Sequence, residues 1–345
     1  MKVSYSLTEK NFNEITAELS QTAMGILKAD TVIRGARILN VNTREIEEHK
    51  DVAIKYGRIV AVGKTDHTIG EDTQIIDAAG YTLVPGFLDG HMHVESSMMS
   101  VREFTRAALP RGTTTIFMDP HEIANVLGMK GVQMMVEEGR SMPMKIYATM
   151  PSCVPAAPGF EDAGAVFGPD DVKEAMSDDR IIGLGEMMNF PGIIYGDKNA
   201  HGELKATLDA GKPITGHYSI PDLEIGLPAY AAAGIASCHE STTKEDALAR
   251  MRLGMYAKMR EGSAWHDVKE TVRAITENHI DSRYAVLVTD DVHPHTLREL
   301  GHLDHVVRQA VRQGVDPITA IQMVTINTAQ CFRVDRHLGS ISPGR

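Results

Sequence analysis

Three cysteines in 345 residues, Cys153, Cys238 and Cys331, are too few, too scattered and odd in number for a disulfide framework. Each is expected as a buried free thiol. No window approaches the roughly 18 consecutive apolar residues of a membrane-spanning helix, and the opening MKVSYSLTEKNFNEITAELS lacks the apolar core of a secretion signal. A cytoplasmic protein with no membrane partner is expected. Basic residues are outnumbered, 35 Lys and Arg against 46 Asp and Glu, and the formal net charge of -11 repels nucleic-acid phosphate. A polynucleotide substrate is therefore not expected. Internal repeats, low-complexity tracts and long linkers are also missing, while 43% hydrophobic and 23% charged residues describe an ordinary globular chain.

Histidine, by contrast, is plentiful at 15 residues, and several stand beside carboxylates at the ends of apolar runs. Residues 1–30 read as a helical lead-in, with Phe12, Ile15, Leu19, Met24 and Ile26 at roughly helical spacing. Residues 31–84 break into short β-like runs with turn residues at Asn42, Gly57 and Gly80, which predicts a small antiparallel β unit. From Pro85 to about residue 335, apolar strands alternate with helical stretches, the pattern of βα units around a parallel sheet. The strand candidates are TLVPGFLDG, TTTIFMD, MKIYATM, RIIGLGEM, KPITGH, AGIASCH and YAVLVTD, with an eighth expected between Cys238 and Tyr284. Helices are predicted over 243–262, 303–313 and 317–332. Some 250 residues is the size of a (β/α)8 barrel, so the fold class is α/β, a TIM-like barrel with a β appendage.

Catalytic groups of such a barrel come from the C-terminal ends of several strands. Here those ends carry His91 and His93, Asp119 and His121, Glu186, His217, His239, and Asp290 with Asp291. Residues two apart on a strand share a side, with Cα atoms roughly 6.5 Å apart, so the imidazoles of HMH can converge on one cation. Nitrogen and carboxylate ligands without cysteine suit Mn, Fe or Zn, and their number favours two ions. Glu186 is the candidate bridge, His91, His93 and Asp290 would hold one ion, and His217 and His239 the other. A hydroxide between the ions would be the nucleophile, and Asp290 would take its proton and deliver it to the leaving group.

These residues resemble the amidohydrolase superfamily. The broad match is VPGFLDGHMH at 84–93, a ligand-type residue ending the fourth strand, single histidines ending the fifth and sixth, TD at 289–290, and NTA followed by LGSISPGR. Other strings are similar to those of superfamily members that deaminate adenine: HVESSMM at 93–99, LPRGTTT, DPHEIANVLG at 119–128, PSCVPA at 151–156, GLGEMMNFPGII at 183–194, CHES at 238–241, MREGSA at 259–264 and LVTDD at 287–291. The resemblance implies hydrolytic deamination of adenine to hypoxanthine and ammonia at a binuclear centre, with Mn2+ or Fe2+ the usual ions and Zn2+ an alternative. It also implies that Glu186 replaces the carbamylated lysine with which many relatives bridge their metals, and it assigns the aspartate ligand to Asp290 rather than Asp291. Relatives of this kind continue past PGR, so residues 31–84 are expected to be the N-terminal part of a composite β-sandwich, with 336–345 starting the return to it.

Glu95, Ser96, Asp119, His121, Glu122 and Asp291 are the candidate substrate contacts. A homo-oligomer, in the first instance a dimer, is expected. His293 and His295 repeat the His-x-His spacing around Pro294 and are read as a surface loop; the methionine pairs and Trp265 are read as packing. The alternative zinc site of nucleobase deaminases needs a C-x-x-C that this chain lacks. Another cyclic amidohydrolase, dihydroorotase-like or cytosine deaminase-like, is the second enzymatic reading. A non-catalytic barrel scaffold is the third.

Overall fold

The computed structural model describes residues 11–345. It divides into two compact units, one running up to Gly86 and including Val334–Arg345, the other Phe87–Arg333. Part of the expected helical lead-in lies outside the described residues; within them the helix is Thr16–Ala23, after a single turn at Phe12–Glu14.

The smaller unit is a sheet built on Thr31–Asn40 (β1), Glu45–Lys55 (β2), Arg58–Gly63 (β3), Gln74–Asp77 (β4) and Thr82–Leu83 (β5), ordered β3-β2-β1-β4 with β5 also on β1. Tyr56 and Gly57 both take positive φ, 51° and 71°, between the paired Lys55 and Arg58, which is the two-residue turn whose twist suits a hairpin. Ile15 and Leu19 bury against Val32, Ala53 and Val60. The chain end returns to this sheet: the Ile59 N–H donates to the Arg345 carbonyl and the Gly344 N–H to the Ile59 carbonyl, each at 2.8 Å, along the free edge of β3.

The larger unit is a closed parallel barrel. Its strands are Phe87–His93 (β6), Thr113–Met118 (β7), Lys145–Met150 (β8), Ile181–Met187 (β9), Ile214–Gly216 (β10), Ser237–Cys238 (β11), Tyr256–Arg260 (β12), Ala285–Val288 (β13) and Asp290–Asp291 (β14). β13 and β14 are one chain segment interrupted at Thr289, pairing with β12 below the break and with β6 above it, so eight segments close the ring. A strand such as IIGLGEM is buried along its whole length, as expected where side chains are covered by helices on one face and the barrel interior on the other. Inside, Phe117 stacks on Phe332 with centroids 3.9 Å apart.

The predicted helix over 243–262 is wrong in its second half. The helix covers Lys244–Arg252, Gly254 takes φ +74° after it, and Tyr256–Arg260 is the missing barrel strand β12. A left-handed glycine just past a last helical turn is a stop signal, and the methionine and tyrosine of MYAKMREG made the continuation look helical.

Helix Lys198–Asp209 carries Glu203, buried and bonded to the Asn199 amide at 3.1 Å. Burial raises its carboxyl to about 8. The folded state thus keeps a proton that the unfolded chain releases near pH 4.5, so stability falls as pH rises from about 4.5 to about 8 and then levels. Glu203→Gln is expected to leave stability unchanged at pH 4 and to raise it by about 2–4 kcal/mol at pH 8, read by urea unfolding at the two pH values.

Candidate metal centre

Each residue of the predicted set stands at or just past a strand end, and the parallel register brings those ends to one mouth. His91 and His93, both buried, alternate along β6 and point to the same side. The His93 Nδ1 lies 2.9 Å from the Asp119 carbonyl, which fixes a proton there and turns Nε2 toward the carboxylates. That Nε2 lies 3.3 Å from Asp290 Oδ1 and 3.6 Å from Glu186 Oε1. The His91 ring stacks on His239 at 3.8 Å, with Nε2 3.8 Å from Asp290 Oδ1.

Glu186 is the hub. Its Oε2 meets His217 Nδ1 at 2.6 Å and His239 Nε2 at 3.0 Å, whereas Oε1 faces His121 Nδ1 at 3.0 Å and His93 Nε2 at 3.6 Å. Two different imidazole sets therefore address the two oxygens of one buried carboxylate. Burial alone would raise this carboxyl, but the imidazoles of His239, His121 and His217 hold it well below the usual range. His91 is driven well below its ordinary value by burial and by His239, which keeps it neutral with a lone pair available.

The donor set fits a cation. His91 Nε2 is buried without a hydrogen-bond partner, and the triads His91–His93–Glu186, His91–His239–Asp290 and Glu186–His217–His239 each bring ligand atoms within 4.8 Å of one another. Imidazoles and carboxylates that converge at that spacing, with one ring nitrogen left unpartnered, are what a divalent ion completes.

Backbone positioning explains the GLGE string. Asp119 is buried, and its Oδ2 accepts the Glu186 N–H at 2.8 Å. A Cβ on Gly185 would stand 2.6 Å from that oxygen and 2.9 Å from the Met150 carbonyl. Gly185→Ala is therefore expected to displace Asp119 and tilt Glu186, costing about 1–3 kcal/mol of stability and at least about tenfold in catalytic rate, checked by unfolding and by steady-state assay.

The other predicted contacts gather at the same mouth. His121 and Glu122 open helix His121–Leu127, with Glu122 Oε2 3.5 Å from His93 Nδ1. Glu95 accepts the Ile123 N–H at 3.3 Å, and burial together with Glu122 raises its carboxyl to about 7. Ser96 donates to Asp291 Oδ1 across the mouth. His293 and His295 are exposed, at the start of helix Pro294–Glu299 rather than in a loop. The three cysteines are free and buried.

Two site residues went unread in the sequence. Arg260, at the end of β12, donates to Asp290 Oδ2 at 3.2 Å, to Asp267 Oδ2 at 3.0 Å and to Glu240 Oε1, and its guanidinium lies 4.5 Å from the Trp265 ring centroid. Glu240 Oε1 is in turn 3.4 Å from His239 Nε2. The signal for Arg260 was the end of a strand hidden inside the predicted helix, whereas Glu240 directly follows the candidate ligand His239 past β11.

Fold and site together define a (β/α)8 barrel with a histidine and carboxylate cluster at its mouth. Residues 82–345 match the model of the amidohydrolase family, and the chain belongs to that family, which implies use of a divalent metal. Among curated proteins it is 62% identical over 338 residues to the adenine deaminase of Moorella thermoacetica, covering 98% of this chain and 56% of that protein. It is 59% identical over 332 residues to the adenine deaminase of Clostridium botulinum strain ATCC 19397, covering 96% of this chain and 55% of that protein. The chain thus spans about half the length of the curated relatives it matches. Among solved structures, the β-aspartyl dipeptidase of Fervidobacterium islandicum AW-1 aligns with TM-score 0.65 at 14% identity, over 91% of this chain and 89% of that one. Molinate hydrolase aligns with TM-score 0.62 at 17% identity, over 92% and 88%. Those two likenesses concern the fold. Among the described residues, no helix is long and apolar enough to cross a membrane.

Proposed function

We propose that this chain carries the catalytic centre of a hydrolase that converts adenine to hypoxanthine and ammonia. The observation that carries the reading is the single buried carboxylate of Glu186, addressed on one oxygen by His217 and His239 and on the other by His93. The identities of 59% and 62% to proteins named adenine deaminase support the choice of substrate.

His91, His93 and Asp290 would hold one divalent ion, His217 and His239 the second, and Glu186 both. Imidazole and carboxylate donors favour Mn2+ or Fe2+, with Zn2+ also compatible. Two such ions supply Lewis acidity that makes water nucleophilic near neutral pH. Asp290 accepts the proton released when water adds at C6, and returns it to the exocyclic amine, which leaves as ammonia. Arg260 on Oδ2 keeps the Asp290 carboxylate turned so that Oδ1 faces His91 and His93. Glu95, Ser96, His121, Glu122 and Asp291, at the same mouth, would supply the contacts to the purine ring.

The test is ammonia release from adenine, adenosine and cytosine by the purified chain after reconstitution with Mn2+, Fe2+ or Zn2+. Turnover of adenine alone is expected. Inactivity on adenine with hydrolysis of a cyclic amide or of another aminated base would move the assignment to a different cyclic amidohydrolase.

A further inference from the structure

The last strand segment closes the barrel against β6 through two paired positions, Asp290 with Met92 and Asp291 with His93. A two-residue ladder is a weak closure for the seam at which three of the candidate ligands meet. Directly before it in both strands, a buried polar cluster crosses the same seam. Asp89, fully buried on β6, accepts the Thr289 hydroxyl at 2.6 Å on Oδ2; its Oδ1 accepts the Thr289 N–H at 3.3 Å and the His91 N–H at 3.4 Å. His302, also buried, places Nε2 3.3 Å from Asp89 Oδ2 and Nδ1 2.8 Å from Thr113 Oγ1 on β7. One carboxylate therefore ties the backbone of one ligand, His91, to the residue preceding another, Asp290.

Asp290 itself has φ 59°, in the left-handed region, where a residue bearing a side chain is held against its own backbone preference. Something must over-determine that conformation, and the residue whose position sets it is Thr289, gripped through both its N–H and its hydroxyl. The second half of the centre, His217 and His239 just past β10 and β11, makes no hydrogen bond to Asp89, Thr289 or His302 among the bonds described.

We propose that Asp89 and Thr289 form a clasp that sets the spacing between the His91/His93 pair and Asp290, making Thr289 a positioning residue for one of the two metal sites. The inference rests on the ligand reading given under the proposed function. Its signature is asymmetry: loss of the clasp loosens the His91–His93–Asp290 site and spares the His217–His239 site, whereas a brace of merely general importance to the barrel would weaken both or neither.

The experiment is a calorimetric titration of the metal-stripped chain with Mn2+, in wild type, Thr289→Val and Thr289→Ser. Wild type is expected to bind two Mn2+. T289V, isosteric but without the hydroxyl donor, is expected to weaken one of the two dissociation constants by about 10–100-fold, the scale of removing a group that orients a ligand, and to leave the other within about twofold. T289S, which keeps the donor, is expected to restore both to within about threefold of wild type. Two unchanged constants in T289V, or two weakened equally, would overturn the clasp. If T289V does not fold, Thr289→Ala, which leaves room for a water beside Asp89, carries the same expectation and the same overturning outcomes. A wild-type chain that binds fewer than two Mn2+ overturns the ligand reading itself, and the clasp with it.

Discussion

Glu186→Gln is expected to lower adenine turnover by at least about 10³-fold while leaving the barrel folded, because metal-assisted activation of water is worth several kcal/mol and this carboxylate meets His217 and His239 with one oxygen and faces His93 with the other. Glutamine matches glutamate in shape but offers one carbonyl oxygen and an amide, so it cannot accept from His217 and His239 on one side and face His93 on the other as an anion. Folding should survive: the variant removes a buried charge that was costly to desolvate, and it keeps the shape of the side chain. The checks are kcat/KM with Mn2+ and a thermal melt by circular dichroism. A folded variant with an unaffected rate would remove Glu186 from the bridging role.

Arg260→Met should produce the largest loss of stability at the mouth, about 3–5 kcal/mol, as expected when one partner of a buried ion cluster is deleted and the others remain. Arg260 is buried and draws together Glu240, Asp267 and Asp290, three carboxylates with no other guanidinium between them among the bonds described. Without it they repel one another, and Asp290 loses the contact that turns Oδ1 toward His91 and His93. Arg260→Lys should recover part of the loss, since it restores charge but not the planar fork that serves several acceptors at once. Urea unfolding of the metal-free chain measures both variants. A cost below about 1 kcal/mol for R260M would mean that these carboxylates are solvated or protonated rather than clamped.

What could be read from the sequence was whatever a single strand carries by itself. An apolar run ending in a histidine or carboxylate states both its direction and its exposed end, so β6, β7, β9, β10 and β11 could be placed together with His91, His93, Asp119, Glu186, His217 and His239. The strand β12 could not, because a helix, a glycine stop and five strand residues follow one another in a string of helix-forming composition, and only the positive φ of Gly254 separates them. Arg260 was lost with it, and Glu240, although next to His239, gains its meaning only from the Arg260 contact. The Asp89–Thr289 pair was invisible for a different reason: its members stand 200 residues apart, and neither a lone aspartate before a His-x-His pair nor a threonine before an aspartate predicts the other. Asp119 stood at the right place, but only the fold reveals that its carboxylate holds the Glu186 backbone.

The proposed centre would hold two divalent ions around Glu186 through six residues from five barrel segments. Its most direct test is anomalous X-ray diffraction at the manganese edge from crystals of the Mn2+-loaded chain. Two peaks are expected, roughly 3.5–4 Å apart, one beside His91, His93 and Asp290 and the other beside His217 and His239, with the Glu186 carboxylate between them. A single peak, or a peak among His93, His121 and Glu122 with none at His217 and His239, would contradict it.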